Sequence, residues 1–324
     1  MAPRWFGDVA THVRMLWDYT RTSAYREAIS RNVRGKTVLE IGCGTGILAC
    51  FAAIAGAKHV YAIEESAIIS VAREITKANG LQEVITLIPG NSTDAELPEK
   101  VDLIYSEIIG INPLEERLIP TLSDGVSRFL KPGGTTMPSH FSLWVAGIES
   151  DLLEERYLRA EEHTAVVERF SEVYGLDLSS IADHYRESVI QSLEKEKFHR
   201  NVGGMEPTSP LRSGERILTD EACIRMFDLL RLPREAPFRK ELVLQARRSG
   251  THSGTAMFFK ARLDELTTIS TSPFAPVQPK SWAGQVIQAM PPLAVSRGAR
   301  IHLEACFDPS VSRDIFFHRV TGPT

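Results

Sequence analysis

The chain has 324 residues, of which 43% are hydrophobic and 24% charged, and its formal net charge is −4. That length is enough for two domains, the composition is that of an ordinary globular protein, and the near-neutral balance carries no nucleic-acid footprint. The four cysteines (Cys43, Cys50, Cys223, Cys306) lie far apart without a CxxC pair, which argues against a zinc site and fits a reducing, cytoplasmic setting. The scattered histidines have no metal-ligand spacing, so no metal is expected. The first fifteen residues lack the apolar core of a signal peptide. The longest apolar run, 47–57, is too short to cross a bilayer, so no membrane partner is expected.

In chain order, residues 9–31 read as one helix, with Met15, Leu16 and Tyr19 at mixed three- and four-residue spacing. Asp18 and Arg21 are three apart and share a face. A short apolar strand, TVLEI (37–41), runs into GCGTG, and an apolar helix follows over 47–55. A second strand, 59–63, ends in Glu64-Glu65. After it come a helix over 68–78, a third strand over 84–88 and a fourth over 101–105. Strands alternating with helices predict a parallel, doubly wound sheet, whose ligands bind beyond the C-terminal ends of its strands. The glycines 42–46, Glu64, the polar stretch 91–94 and Glu107 all fall there.

The second half has a different rhythm. A helix is expected over 114–130, stopped by Pro132-Gly133-Gly134. Strands then read at 141–148, 241–246, 256–263, 282–290, 300–306 and 315–320, separated by turns without regular helical partners. This predicts an antiparallel barrel or sandwich. Residues 151–198 are charged and partly helix-like, and 205–213 is a Pro/Ser-rich loop.

Glycine spacing selects the cofactor class. A dinucleotide fingerprint would put its third glycine at position 47, which is Ile, whereas Gly42, Gly44 and Gly46 form GxGxG. That spacing, with an acid ending the next strand, is the pattern of S-adenosyl-L-methionine sites. The glycines would admit the ligand close to the backbone, and Glu64 would accept from the ribose hydroxyls.

The stretch VLEIGCGTGILACFAAIAGAKHVYAIEES resembles the cofactor-binding half of the protein arginine methyltransferases. SEIIG, with Glu116 nine residues after Glu107, is similar to that family's double-E loop, and MLWDYTRTSAYREAI to its first helix. SEVYGLDLSSIAD and STSPFAP followed by Trp282 resemble parts of its dimerisation arm and of its Thr-His-Trp loop. The resemblance implies an α/β fold: a Rossmann-like class I methyltransferase domain over 1–140, followed by an antiparallel β-barrel domain over 141–324. It also implies a helical dimerisation arm at about 151–204 and a homodimer. It puts Arg21, Glu40, Gly42, Gly44, Gly46, Glu64, Ser92, Thr93 and Glu107 on the cofactor. Met15, Asp18, Glu107, Glu116, Ser281 and Trp282 fall on the substrate, with Glu107 and Glu116 catalytic. Three positions depart from the family pattern. Ser281 stands where a histidine is expected, the double-E tip reads IIGINPLE, and the N-terminal aromatic motif is reduced to Trp5-Phe6.

A guanidinium stays protonated and offers five donors in a rigid fork. Two carboxylates can clamp it and draw its charge to one side, leaving the far nitrogen aimed at the methyl donor. Glu115, one position out of register, is read as structural. The expected reaction is methyl transfer to a terminal guanidino nitrogen of free L-arginine or peptidyl arginine, with monomethylation expected. Two alternatives stay open: a small-molecule N- or O-methyltransferase, and a non-catalytic scaffold subunit.

Overall fold

A computed structural model describes residues 7–110, 114–195, 197–198, 215–231, 235–279, 282 and 286–320. The chain opens with two helices, α1 (Val9–Leu16) and α2 (Tyr19–Asn32), where a single helix over 9–31 is expected. Asp18 causes the break. Its carboxylate accepts from the backbone amide of Arg21 at 3.1 Å, which caps α2 and starts a new helix there.

Five strands follow: β1 (Thr37–Ile41), β2 (His59–Glu64), β3 (Ile85–Pro89), β4 (Val101–Ser106) and β5 (Leu130–Met137). They form one parallel sheet in the order β3-β2-β1-β4-β5. Helices α3 (Ile47–Ile54), α4 (Ile69–Ala78) and α5 (Leu118–Phe129) provide the crossovers. All five residues of β1 are buried, as a central parallel strand covered on both faces requires. The strand order reverses between β1 and β4, which opens the crevice at their C-terminal ends. Strand β5 is absent from the sequence expectation because Pro132-Gly133-Gly134 reads as a helix stop. In the fold those residues lie in an edge strand with a register irregularity against β4, where proline and glycine are tolerated.

The second half is antiparallel. Strand β6 (His140–Ser150) leads into the helical hairpin α6 (Asp151–Tyr174) and α7 (Ser179–Lys195). Helix α6 begins where the Ser150 side chain accepts from the Leu153 amide, and ends at the left-handed Gly175. The remaining strands are β7 (Lys197–Phe198), β8 (Glu215–Asp228), β9 (Phe238–Gln245), β10 (Gly250–Arg262), β11 (Thr268–Ser270), β12 (Val286–Val295), β13 (Arg300–Phe307) and β14 (Ile315–Arg319). They make a sheet β7-β12-β10-β6-β8, with β11 on β10, and a second sheet β14-β13-β9. Strand β8 is a further element the sequence expectation lacks, its apolar positions being interrupted by charges in ERILTDEACIRMFD.

Among the described residues no continuous strand ladder closes these two sheets into the expected barrel. They are joined at both seams all the same. One seam carries a Thr219–Ala246 bridge and an Arg247 amide donating to the Leu218 carbonyl at 2.9 Å. At the other, the buried Gln288 amide donates to the Phe317 carbonyl at 2.7 Å and accepts from the Phe317 amide at 2.9 Å, standing in for a strand pair. One hydrophobic core runs through both halves, from Tyr25 and Ile29 through Leu122 to Phe259, Trp282 and Phe317. At its edge Arg31 pairs with Asp264 at 2.9 Å. No helix among the described residues is long and apolar enough to cross a membrane.

Candidate active site

The crevice is assembled from several separate chain segments. Gly42 and Cys43 leave β1 and donate their amides to the Ile63 carbonyl at 2.9 and 3.0 Å, which ties the glycine loop to β2. Gly42, Gly44 and Gly46 have φ of +76°, +53° and +76°, the left-handed region that favours glycine. A Cβ on Gly42 would lie 2.6 Å from Ile108 Cγ2, and one on Gly44 2.7 Å from His12 Cε1. Glu64, at the end of β2, accepts from the Gly44 amide at 2.9 Å through one oxygen and from the Ser66 amide at 2.8 Å through the other. Helix α3 starts at Gly46 with no side-chain cap, so part of its first-turn amide potential is open.

Glu107 follows β4. Tyr25 donates its hydroxyl to the Ser106 carbonyl at 3.0 Å, and the Ser106 hydroxyl donates to the Ile41 carbonyl at 2.7 Å. The peptide before Glu107 is therefore locked to both α2 and β1. Arg21 Nη1 lies 3.2 Å from Glu107 Oε2, and its Nη2 donates to the Met15 carbonyl at 3.1 Å. The same guanidinium lies over the Trp282 ring, 5.3 Å from the centroid. The Trp282 indole donates to the Ile109 carbonyl at 2.6 Å and meets Phe259 edge-on. Asp18, 1% exposed, caps α2 beneath this group.

The two glutamates have unusual acidities. Burial pushes Glu107 up to about 7; Arg21 opposes the rise and Asp18 adds to it. Burial also pushes Glu116 up to about 8, reinforced first by Glu107 and then by Glu115, with Arg21 opposing. Glu115 is exposed whereas Glu116 is half-buried. Like-charge coupling between Glu107 and Glu116 is the mark of two carboxyls sharing one site.

The fold thus gathers Met15, Asp18, Arg21, Gly42, Gly44, Gly46, Glu64, Glu107, Glu116 and Trp282 around one crevice. Three residues of the expected set sit differently. Glu40 is 1% exposed and reaches the loop only from beneath. Its position on β1 faces it toward Tyr105 and the Ala49 amide at the start of α3, and burial raises its carboxyl well above the usual range. Ser92 is buried, and its carbonyl accepts from Arg128 at 2.8 Å. The neighbouring Thr93 is exposed and closes an Asx turn on Asn91 at 3.0 Å. Ser281, the Trp5-Phe6 pair, the 111–113 part of the double-E tip and the 205–213 loop lie outside the described residues. His12 is a residue the sequence reading missed. It lies three positions before Met15, the same step that links Asp18 to Arg21, and that step was the available signal.

Comparison with known proteins agrees with this architecture. A family model described as the arginine methyltransferase oligomerization subdomain matches residues 143–316. The protein arginine N-methyltransferase 1 of Dictyostelium discoideum is 33% identical over 273 residues, covering 82% of this chain and 72% of that protein. The chain belongs to the protein arginine methyltransferase family. Residues 22–141 also match the model for ribosomal protein L11 methyltransferase (PrmA). A probable protein arginine N-methyltransferase 6.1 of Oryza sativa subsp. indica is 39% identical over 179 residues, covering 54% of this chain. The match spans 45% of that rice relative, a little under half its length. Among solved structures, protein arginine methyltransferase 10 of Arabidopsis thaliana superposes with a TM-score of 0.75 at 24% identity, over 93% of this chain and 88% of that one. The Trypanosoma brucei PRMT1 enzyme–prozyme heterotetramer, solved with AdoHcy, gives 0.71 at 25% identity over 97% and 98%.

Proposed function

We propose that this chain is an S-adenosyl-L-methionine-dependent arginine N-methyltransferase, transferring a methyl group to a terminal guanidino nitrogen of free L-arginine or peptidyl arginine. The observation that carries the reading is the coupled carboxyl pair, Glu107 and Glu116, set beside a left-handed glycine loop. The residues around that loop fit the cofactor. Its glycines leave a cradle that a Cβ would fill, the start of α3 offers amides, and Glu64 presents a carboxylate at the neighbouring strand end.

When bound, S-adenosyl-L-methionine supplies a methyl group carried on a sulfonium. Glu64 would accept from the ribose hydroxyls, Ser92 and Thr93 would border the adenine, and Arg21 would hold the amino-acid carboxylate. Arg21 spends two donor directions on Glu107 and Met15 and retains others for this task. Glu107 and Glu116 accept from the substrate guanidinium in a fork and draw its positive charge toward themselves. The nitrogen turned away from them becomes the nucleophile, and its orientation supplies a large part of the rate. The methyl–sulfur bond would break as the new N–C bond forms, leaving S-adenosylhomocysteine as the thioether, and the guanidinium's surplus proton would pass to one of the two carboxylates from a nitrogen they hold, or through water. Trp282 stands behind Arg21 and fixes the loop through the Ile109 carbonyl.

In this reading, residues 1–140 hold the cofactor and 141–324 complete the substrate side. One methyl group per guanidinium is the product. The α6–α7 hairpin carries exposed Leu158, Phe170, Val173, Tyr174 and Leu176, and we assign it to the contact with a second copy in a homodimer.

The test is incubation with labelled S-adenosyl-L-methionine and either L-arginine or an arginine-rich peptide, followed by mass spectrometry of the product. Label on a guanidino nitrogen supports the reading. Label only on another acceptor, or none on either substrate, refutes it.

A further inference from the structure

The second half of the chain reaches the carboxylate pair at Leu114. The Leu114 carbonyl accepts from Arg313 Nε at 2.8 Å, and Arg313 Nη2 is in turn held by Glu235 at 2.6 Å. Glu235 has a side-chain exposure of 8%, and Arg313 is its salt-bridge partner. Arg313 sits in the loop between β13 and β14, and Glu235 in the connection between β8 and β9. That loop is itself fixed on both sides of Arg313. The Ser312 amide donates to the Asp308 carbonyl at 3.0 Å, and the Asp314 amide donates to Ser312 Oγ at 3.1 Å.

What Arg313 grips is the start of the turn that carries Glu116. The Arg117 amide points back to the same Leu114 carbonyl at 3.4 Å. The chain then enters α5 through Arg117 at φ +61° and ψ +33°. Arg117 is the one non-glycine residue at positive φ among the described residues. Such a conformation persists only where its surroundings over-determine it. The turn between Leu114 and Arg117 is therefore wound tightly and needs an external hold, and Arg313 is positioned to give it.

We infer that Arg313 is a positioning residue for Glu116: anchored on Glu235, it pins the Leu114 carbonyl and keeps the turn wound so that Glu116 meets Glu107. This rests on the reading of Glu107 and Glu116 as a guanidinium clamp. Arg313 touches neither carboxylate, so its contribution is geometric. Lysine cannot replace it, because one ammonium does not span two acceptors in the fixed geometry of a guanidinium fork. The sheets of the second half thereby set the second catalytic carboxylate, from almost 200 positions further along the sequence.

The experiment compares wild type, Arg313→Met, Arg313→Lys and Glu235→Gln in the full chain. Three quantities are read: S-adenosylhomocysteine affinity by calorimetry, hydrogen exchange over 114–118 by mass spectrometry, and methyl transfer to L-arginine and to an arginine-rich peptide. Both Arg313 variants are expected to keep cofactor affinity within about twofold of wild type, exchange 114–118 faster, and lose about tenfold to a hundredfold in kcat, as a misplaced reacting group does. Glu235→Gln is expected to fall between them and wild type. Unchanged turnover or unchanged exchange at 114–118 in Arg313→Met overturns the inference. So does a parallel loss of cofactor affinity, which would mark a general folding role, unless Glu235→Gln still shows the selective loss of turnover. A wild type that methylates no guanidine removes the methyltransferase reading itself, and that outcome is told apart because it appears before any substitution is made.

Discussion

In the proposed reaction Glu107 and Glu116 carry the chemistry, and their raised pKa values set how it would respond to pH. Both carboxyls are raised, to about 7 and about 8, chiefly by burial. Below pH 7 they are mostly neutral and offer a guanidinium no charge. Methyl transfer should therefore rise between pH 6 and 9 and level off once both are ionised, which a pH profile of kcat/KM measures. Linkage gives stability the opposite sign. A carboxyl raised above its unfolded value contributes most at acid pH, and that contribution is lost as pH rises through its folded value. Glu116→Gln should accordingly abolish turnover yet raise Tm by a few degrees at pH 9, with little gain at pH 5. An unchanged Tm at pH 9 would show that Glu116 is not held in a charge-disfavouring site. Glu115, exposed and one position away, is the comparison, and Glu115→Gln should leave both quantities near wild type.

Among the elements, the glycine loop and the α1–α2 break do most to shape the crevice. Gly44 combines φ +53° with a Cβ path blocked by His12 at 2.7 Å. Gly44→Ala should cost about 1–3 kcal/mol in the loop and weaken S-adenosylhomocysteine binding by about tenfold or more, read by calorimetry. Wild-type affinity in this variant would remove the loop from the cofactor site. At this scale the first half was legible because its signals are local. β1 is a continuous apolar run ending in glycines, and β2 ends in Glu64. The α1–α2 break was hidden because Asp18 reads as part of a helical face until its cap on Arg21 is seen. Strand β5 was hidden because Pro132-Gly133-Gly134 is a stop signal within one helix but harmless at a sheet edge. Strand β8 was hidden because its outward face is charged at irregular intervals. Arg313 and Glu235 could not be read at all, since neither belongs to a motif and only tertiary packing brings them to Leu114.

For the whole molecule, the two antiparallel sheets and the parallel sheet share one core, and the site lies where loops from both halves meet. Trp282 and Arg313 each reach the double-E loop from the second half, through the Ile109 and Leu114 carbonyls. The exposed apolar side chains of the α6–α7 hairpin are the surface assigned to a second copy. Replacing Phe170 and Tyr174 together by Ala should shift the protein from dimer to monomer in light scattering. An unchanged dimer would place the contact elsewhere.

The central claim is that Glu107 and Glu116 receive a guanidinium as a charged pair. It is tested most directly by titrating L-arginine, and an arginine-rich peptide, into the S-adenosylhomocysteine-loaded protein at pH 7, in buffers of different ionisation enthalpy. The account predicts binding accompanied by net proton release, as the raised carboxyls ionise against the incoming cation, and loss of both in Glu107→Gln. Binding with no proton release, or full affinity in Glu107→Gln, would contradict it.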